Sequence, residues 1–194
     1  MIASGNIEST DKFDFSKHKK TSLEWWEKTK SSNENLNKWL SRQYVGEIAA
    51  VNMMSEMLLR FGSELSKQDW KDLWNIMRQE ATHALWIKEL LDARGISPEH
   101  DPVHDKRYWA EVLPNIKNST DAFEAAFHAE NMRLDRIAVI AFDDSAPVDI
   151  VNVFKKILVH ESWHETFFNK MRNNSEKMSK YHERGLDALN LILT

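Results

Sequence analysis

Apolar residues recur every three to four positions through four long stretches of this chain, a spacing that is typical of helices with one buried face. None of these stretches shows the strict alternation expected of a half-buried strand. The pattern therefore predicts four long helices: from Asn33 to Phe61, from just after Ser66 to Arg94, from Ser119 or Thr120 to the turn at 143–147, and from that turn to about Met171.

The ends of these predicted helices coincide with residues that start or stop helices. Gly62 follows the first one, and Ser66 with Asp69 three positions later resembles a capping arrangement for the second. Gly95 and Pro98 then mark the end of that second helix. The sequence DDSAP at 143–147 predicts a short turn, so the four long helices form two hairpins.

The remaining segments are predicted to be shorter or irregular. SLEWWEKT at 22–29 favours a short helix, and a further helix is expected at about 176–193. Residues 1 to about 15 are expected to form a loose tail. Three prolines fall within residues 97–116, so this segment is expected to be a long crossover between the two hairpins.

Composition supports one helical domain spanning 1–194, with its core bundle at about 33–171. The chain has 194 residues, 42% of them hydrophobic, and only 5 Gly and 4 Pro. A net charge of -4 without a basic patch argues against a nucleic-acid partner, and Cys 0 excludes thiolate metal sites. No stretch is long and apolar enough to span a membrane and no targeting segment is evident, so we expect a cytoplasmic protein.

Four glutamates interrupt the apolar faces of the four long helices. Glu47 and Glu80 are equally distant from the turn around Gly62, and Glu130 and Glu161 are equally distant from the turn at 143–147. Because both helices of an antiparallel hairpin rise equally per residue, each pair is expected at one depth. His83 and His164 lie three positions after Glu80 and Glu161, and therefore on the same faces.

Buried carboxylates must be protonated, paired with cations or bound to metal, because an isolated buried charge is very unfavourable. Two divalent ions would balance four carboxylates, and two imidazoles would complete a mixed nitrogen and oxygen donor set that suits iron or manganese. The competing interpretation, that these glutamates reach solvent or pair with arginine, accounts less well for two Glu-x-x-His pairs at matched depths.

The order Glu, Glu-x-x-His, Glu, Glu-x-x-His over residues 33 to 171 resembles the ferritin-like di-iron carboxylate superfamily. The resemblance implies an all-α, antiparallel four-helix bundle with a long crossover between helices 2 and 3 and with extra terminal helices. It also implies two bound Fe ions, with Mn or a mixed Mn/Fe pair as alternatives. The implied metal ligands are Glu47, Glu80, His83, Glu130, Glu161 and His164.

Two further residues are expected to orient the imidazole ligands. Several members of that superfamily place Asp directly before the Glu of each Glu-x-x-His pair, whereas this chain has Gln79 and His160 there. We therefore expect neutral acceptors across the bundle, Gln79 towards His164 and His160 towards His83. Other polar or aromatic residues are interpreted more simply. His128 and Glu165 flank the inner faces, His100 and His104 belong to a solvated crossover, and Trp86 and Trp163 are packing residues with a weaker case for electron relay.

The resemblance favours an oxygen-activating oxidase or oxygenase that acts on a small apolar or amphipathic substrate. Rubrerythrin chemistry is disfavoured by the absence of Cys and by Arg133, which stands where that family has another glutamate. A pocket lined by four aromatic residues is expected to hold the substrate: Phe123, Phe127, Phe154 and Phe168. The implied partners are O2, that substrate and an unidentified electron donor, with a monomer or homodimer expected. A ferroxidase and a non-enzymatic helical interaction module are the alternatives.

Overall fold

The computed structural model describes residues 19–98 and 112–172, and this part of the chain consists of helices joined by turns, with no strand in it. The all-α prediction is therefore confirmed for these residues. The helices are α1 (Lys19–Lys30), α2 (Asn33–Phe61), α3 (Lys67–Asp92), α4 (Ser119–Ala141) and α5 (Val148–Met171), with short 3-10 turns at Gly62–Glu64 and Leu113–Asn115.

Local capping explains where the long helices begin. Ser66 accepts a hydrogen bond from the backbone N–H of Asp69, as predicted, and Asn118 caps α4 in the same way. The end of α3 differs slightly from the prediction, since the helix stops at Asp92 rather than Arg94. The chain turns away at Gly95, whose φ of 67° is a left-handed conformation that glycine adopts without steric cost.

The helices pack as two hairpins that face each other. α2 packs along α3, and α4 packs along α5, each pair being joined by a short turn. α3 also contacts α5, while α1 lies against α4 and α2. Trp26 and Lys30 of α1 both donate hydrogen bonds to Asp143 in the turn before α5, each at 2.7 Å, so α1 is tied to the end of the second hairpin.

Several predictions concern segments that lie outside the described residues. These are the N-terminal tail, the helix at 176–193, and most of the crossover with His100 and His104. The single-domain assignment stays a prediction. Among the helices that are described, none is both long enough and apolar enough to cross a membrane.

Candidate metal centre

The four predicted glutamates meet in the interior, one from each long helix. Glu80 and Glu161 have no solvent exposure, and Glu47 and Glu130 are 1% and 4% exposed. The apolar residues on the same helix faces are buried as well, since burial of that stripe is what turns each glutamate inward. The helical pattern therefore delivers four carboxyl groups to one place.

Donor atoms from these residues and the two histidines fall into two overlapping groups, each within 4.8 Å. One group contains Glu47, Glu80, His83 and Glu161, and the other contains Glu80, Glu130, Glu161 and His164. Glu80 and Glu161 belong to both groups. A carboxylate has two oxygens, so these two side chains could contribute to the binding of both ions of a pair, while each of the other four residues would contribute to one ion.

Both imidazoles present Nδ1 to the carboxylates. Nδ1 of His164 lies 3.0 Å from Glu80 Oε1 and 3.1 Å from Glu161 Oε2. Nδ1 of His83 lies 3.5 Å from Glu47 Oε2 and from Glu161 Oε1, and 3.6 Å from Glu80 Oε2. The same nitrogen of each ring is therefore positioned to bind an ion.

The opposite nitrogens make two contacts between α3 and α5, with the partners that were expected from the sequence. Nε2 of His164 lies 2.8 Å from Gln79 Oε1, an acceptor, so this nitrogen donates. Nε2 of His83 lies 2.9 Å from His160 Nδ1. Burial, followed by the charges of His83 and His164, lowers the pKa of His160 to about 4, so its ring is neutral at pH 7 and accepts. With a proton held on Nε2, each ring can leave Nδ1 free as a metal ligand.

Protonation divides the carboxyl groups into two kinds. Burial, reinforced by the charges of Glu161 and Glu80, raises the pKa of Glu130 well above its ordinary value. Burial also raises the pKa of Glu47 to about 7, although Arg133 opposes this shift. Both side chains therefore retain a proton more readily than an exposed glutamate does.

The pKa values of Glu80 and Glu161, the two glutamates shared by both groups, are lowered instead. Burial raises the pKa of Glu80, but contacts with His164 and His83 outweigh it, so that the pKa falls to about 2. Despite burial, Arg133 and the imidazoles also hold the pKa of Glu161 well below its ordinary value.

The imidazoles gain protons from the same contacts. Burial lowers the pKa of both rings, but the neighbouring carboxylates reverse this effect, raising the pKa of His83 to about 12 and that of His164 to about 8. Without metal, protons on these rings and on Glu130 therefore offset part of the negative charge. Divalent ions binding to these atoms would replace the protons.

Arg133 adds a fixed positive charge that the sequence interpretation missed. Its Nη2 donates to Glu47 Oε1 at 2.5 Å and lies 3.4 Å from Glu161 Oε1. A signal was present, because Arg133 follows Glu130 by three positions and so lies on the same face of α4. Without metal, Arg133 therefore offsets carboxylate charge in addition to the protons on the two imidazoles and on Glu130.

Unsatisfied atoms provide a direct test of whether metal fits this site. Ten buried side-chain oxygen or nitrogen atoms in the described part of the chain make no hydrogen bond of good geometry. Six of them are Glu47 Oε2, both oxygens of Glu80, Glu130 Oε2, Glu161 Oε1 and His83 Nδ1, and they include Glu80 Oε1 although His164 Nδ1 lies 3.0 Å from it. Such atoms are rare in folded proteins, because each loses its water without compensation. These six atoms, all oxygen or nitrogen, belong to residues of the two groups, so a pair of divalent ions fits the residues present.

A cavity of about 500 Å³ lies between α2 and α4 and reaches Glu130 and Arg133. Of the four aromatic residues predicted to line a pocket, Phe154 lines this cavity, whereas Phe123, Phe127 and Phe168 pack together in the core. All four phenylalanine side chains are buried, as their helical spacing predicts. Phe123, Phe127 and Phe168 fill the space between packed helices, so they do not line the cavity. Cationic side chains occupy much of the lining instead: Lys28, Lys38, Arg42, Arg133 and Arg136.

His128, Trp86 and Trp163, which were also named from the sequence, make packing or hydrogen-bond contacts near the site. His128 is buried and lies 3.0 Å from Glu124, outside both groups of donor atoms. The ring of Trp86 stacks on His160 at 5.7 Å, and His160 stacks on His83 at 5.1 Å. Trp163 lies edge-on to His164 at 5.8 Å. Both tryptophans are thus adjacent to the imidazole network, and electron relay through them stays a prediction.

Comparisons with known proteins give no match for this chain: no family model, curated protein or solved structure is similar to it. What the site can do is therefore inferred from its donor atoms, their burial and the cavity beside them.

Proposed function

We propose that this chain is a non-haem di-iron protein with a ferritin-like four-helix bundle, acting as an oxygen-activating oxidase or oxygenase. The observation that carries the proposal is the pair of donor groups that share Glu80 and Glu161. A single ion would use one such group, whereas two overlapping groups with four carboxyls and two imidazoles match the needs of two ions. Manganese, alone or paired with iron, would suit the same donors.

The chain's own residues would hold and tune the pair of ions. Glu80 and Glu161 would bridge them, Glu47 with His83 would hold one, and Glu130 with His164 the other. Gln79 and His160 would fix the imidazole orientation through their contacts with Nε2. When bound, such an iron pair supplies the electrons that reduce O2. The buried surroundings would exclude water from the reacting atoms.

The cavity lining supports retention of the metal over iron storage. Iron-storing proteins must pass many Fe2+ ions to and from the oxidation site, which requires an acidic route. The cavity that reaches Glu130 is lined instead by five cationic residues, which repel Fe2+. Together with its size, which suits a small organic molecule, this favours an oxidase or oxygenase over a ferroxidase.

Anaerobic titration with Fe(II), followed by exposure to O2 with optical and Mössbauer detection, tests the proposal. We expect about two Fe bound per chain and oxygen consumption that stops when these are oxidised. A reductant and an organic substrate should then restore turnover. Continued oxidation of many iron equivalents by a large hollow oligomer would establish the ferroxidase alternative. A folded protein that binds no iron or manganese would overturn both.

A further inference from the structure

The cavity between α2 and α4 is a long groove and not a closed pocket around the metal ligands. On α2 its lining runs from Asn35 to Met54, and on α4 from Ala126 to Ile140. At a rise of 1.5 Å per residue, the α2 lining extends for roughly 28 Å. The groove therefore has room for an elongated ligand that reaches from α1 to the metal ligands.

Charge is distributed unevenly along the groove. Lys28 of α1, and Lys38 and Arg42 near the start of α2, line the end next to α1. Towards Glu130 the lining is small and apolar apart from Arg133, whose guanidinium contacts Glu47 and Glu161. The small and apolar residues are Ala49, Ala50, Met53, Met54, Ala126 and Ala129. Arg42 and Ala50 are separated by eight positions, or roughly 12 Å along the helix. One end therefore suits an anion and the other an apolar chain.

Two of the cations have no counterion within the described part of the chain. Neither Lys38 nor Arg136 forms an ion pair there. The Nε of Arg136 is buried without a hydrogen-bond partner, and burial together with the charge of Arg133 lowers the pKa of Arg136 to about 10. A partly buried guanidinium without a carboxylate is unfavourable, so an anion bound beside it would be stabilising.

A second unsatisfied donor, besides Arg136 Nε, lies in the same lining. Trp39 is 7% exposed, lines the groove, and its indole Nε1 is buried without a hydrogen-bond partner. Trp25 and Phe154 provide flat apolar surface beside it. Donors without acceptors, next to apolar surface, point to an amphipathic ligand that brings its own acceptor oxygens.

We propose that this groove binds an organic anion with an unbranched apolar chain, its headgroup held by Lys38 and Arg136 and its chain directed towards Ala50, Ala126 and Glu130. The proposal of a binding site rests only on the residues that line the groove. Naming this anion as the substrate rests on the proposed function, because only metal beside Glu130 would make the end of its chain a reacting position. Carboxylates and phosphate monoesters share the required headgroup chemistry.

Calorimetric titration of the full-length protein with decanoate, decyl phosphate and decanol, below their aggregation concentrations, tests the assignment. Decanoate or decyl phosphate should bind at about one per chain, and whichever binds more tightly identifies the headgroup class. The dissociation constant should rise with ionic strength, because the headgroup contact is electrostatic. Decanol should bind at least about tenfold more weakly, since it lacks the charge. Equal affinity for decanol would overturn the proposal.

Substitutions locate the headgroup. Lys38→Met and Arg136→Met should each weaken anion binding about tenfold, and Arg136→Lys should restore part of it. Lys71→Met, which removes an exposed charge on α3 outside the groove, is the matched control and should bind as the original chain does. Lys38 is exposed, so its variant should fold even if an Arg136 variant does not. Unchanged affinity in folded Lys38→Met would contradict the headgroup assignment.

Titrations with and without metal distinguish a failure of the anion-binding proposal from a failure of the di-iron proposal. Anion binding by a chain that takes up no metal would support the groove as a binding site and refute the di-iron function. Two bound metals without anion binding would support the di-iron function and refute the binding site. If the groove variants change the oligomeric state, and the original chain binds no anion, the groove is an interface between copies and the ligand proposal is wrong.

Discussion

Arg133 of α4 donates a hydrogen bond to Glu47 of α2, with 2.5 Å between Nη2 and Oε1. Glu47 Oε2, on the other side of the same carboxyl group, lies 3.5 Å from His83 Nδ1. One oxygen of Glu47 thus faces a permanent cation and the other faces the proposed metal position. This arrangement places a fixed positive charge in competition with metal.

Replacing Arg133 with Gln should separate these two effects. Without metal, loss of the guanidinium should lower the free energy of unfolding by about 1–3 kcal/mol, because Glu47 and Glu161 lose a cation. Divalent metal should bind about tenfold more tightly, because a nearby like charge is gone. Denaturant unfolding and a competitive chelator titration measure the two quantities. Arg78→Gln, an exposed change on α3, is the control, and equal metal affinity in both variants would contradict the prediction.

Replacing Glu130 with Ala should reduce bound metal from about two ions per chain to one or none while the helical content is retained. Glu130 is buried with a raised pKa, so its removal costs little packing and relieves a desolvated carboxyl group. Elemental analysis and circular dichroism provide the two readouts. Glu56→Ala, at an exposed position of α2, should bind metal normally. Global unfolding of the Glu130 variant would instead indicate a structural role.

Replacing Gln79 with Leu should weaken metal binding about tenfold or more, because Nε2 of His164 loses the acceptor that fixes the ring. Gln79→Glu should keep or increase the affinity, since a carboxylate also accepts from Nε2. Measuring both variants by competitive chelation separates loss of the acceptor from simple perturbation of α3. Similar weakening in both variants would count against this orienting role.

Asp143 should make the stability of the chain depend on pH in the acidic range. Burial raises its pKa, but hydrogen bonds from Lys30, Ser145 and Trp26 outweigh this and leave the pKa well below its ordinary value of 3.8. A depressed pKa gives stability that is present above pH 3.8 and is lost as pH falls below it. Asp143→Asn should therefore lower the unfolding free energy by about 1 kcal/mol at pH 7.

The pH dependence of this difference is the stricter test. The gap between Asp143→Asn and the original chain should shrink as the pH falls from 3.8 towards the depressed pKa of the folded state, because in this range protons bind the Asp143 carboxylate of the unfolded chain more readily than that of the folded one. Asp144→Asn, at the exposed neighbouring position, should show no such gap. A gap that persists unchanged at low pH would mean that the carboxylate charge is not what ties α1 to this turn.

The helices and the identity of the clustered residues could be predicted from the sequence because both depend on short-range rules. Helical spacing assigns each residue to a face, and the turns after Phe61 and Phe142 fix which positions share a depth. Glu47, Glu80, Glu130 and Glu161 are therefore buried together as predicted. The Gln79 and His160 contacts were expected from the resemblance to the ferritin-like superfamily, because several members of that superfamily place an acceptor directly before the Glu of each Glu-x-x-His pair.

Only the tertiary structure decided how the two hairpins are placed against each other. That placement depends on side chains packing between helices distant in sequence, and helical periodicity carries no information about it. It makes Glu80 and Glu161 the shared carboxylates, brings Arg133 to Glu47, and leaves a groove between α2 and α4. Phe123, Phe127 and Phe168 fill the core for the same reason, so the groove wall is formed instead by small, apolar and cationic side chains.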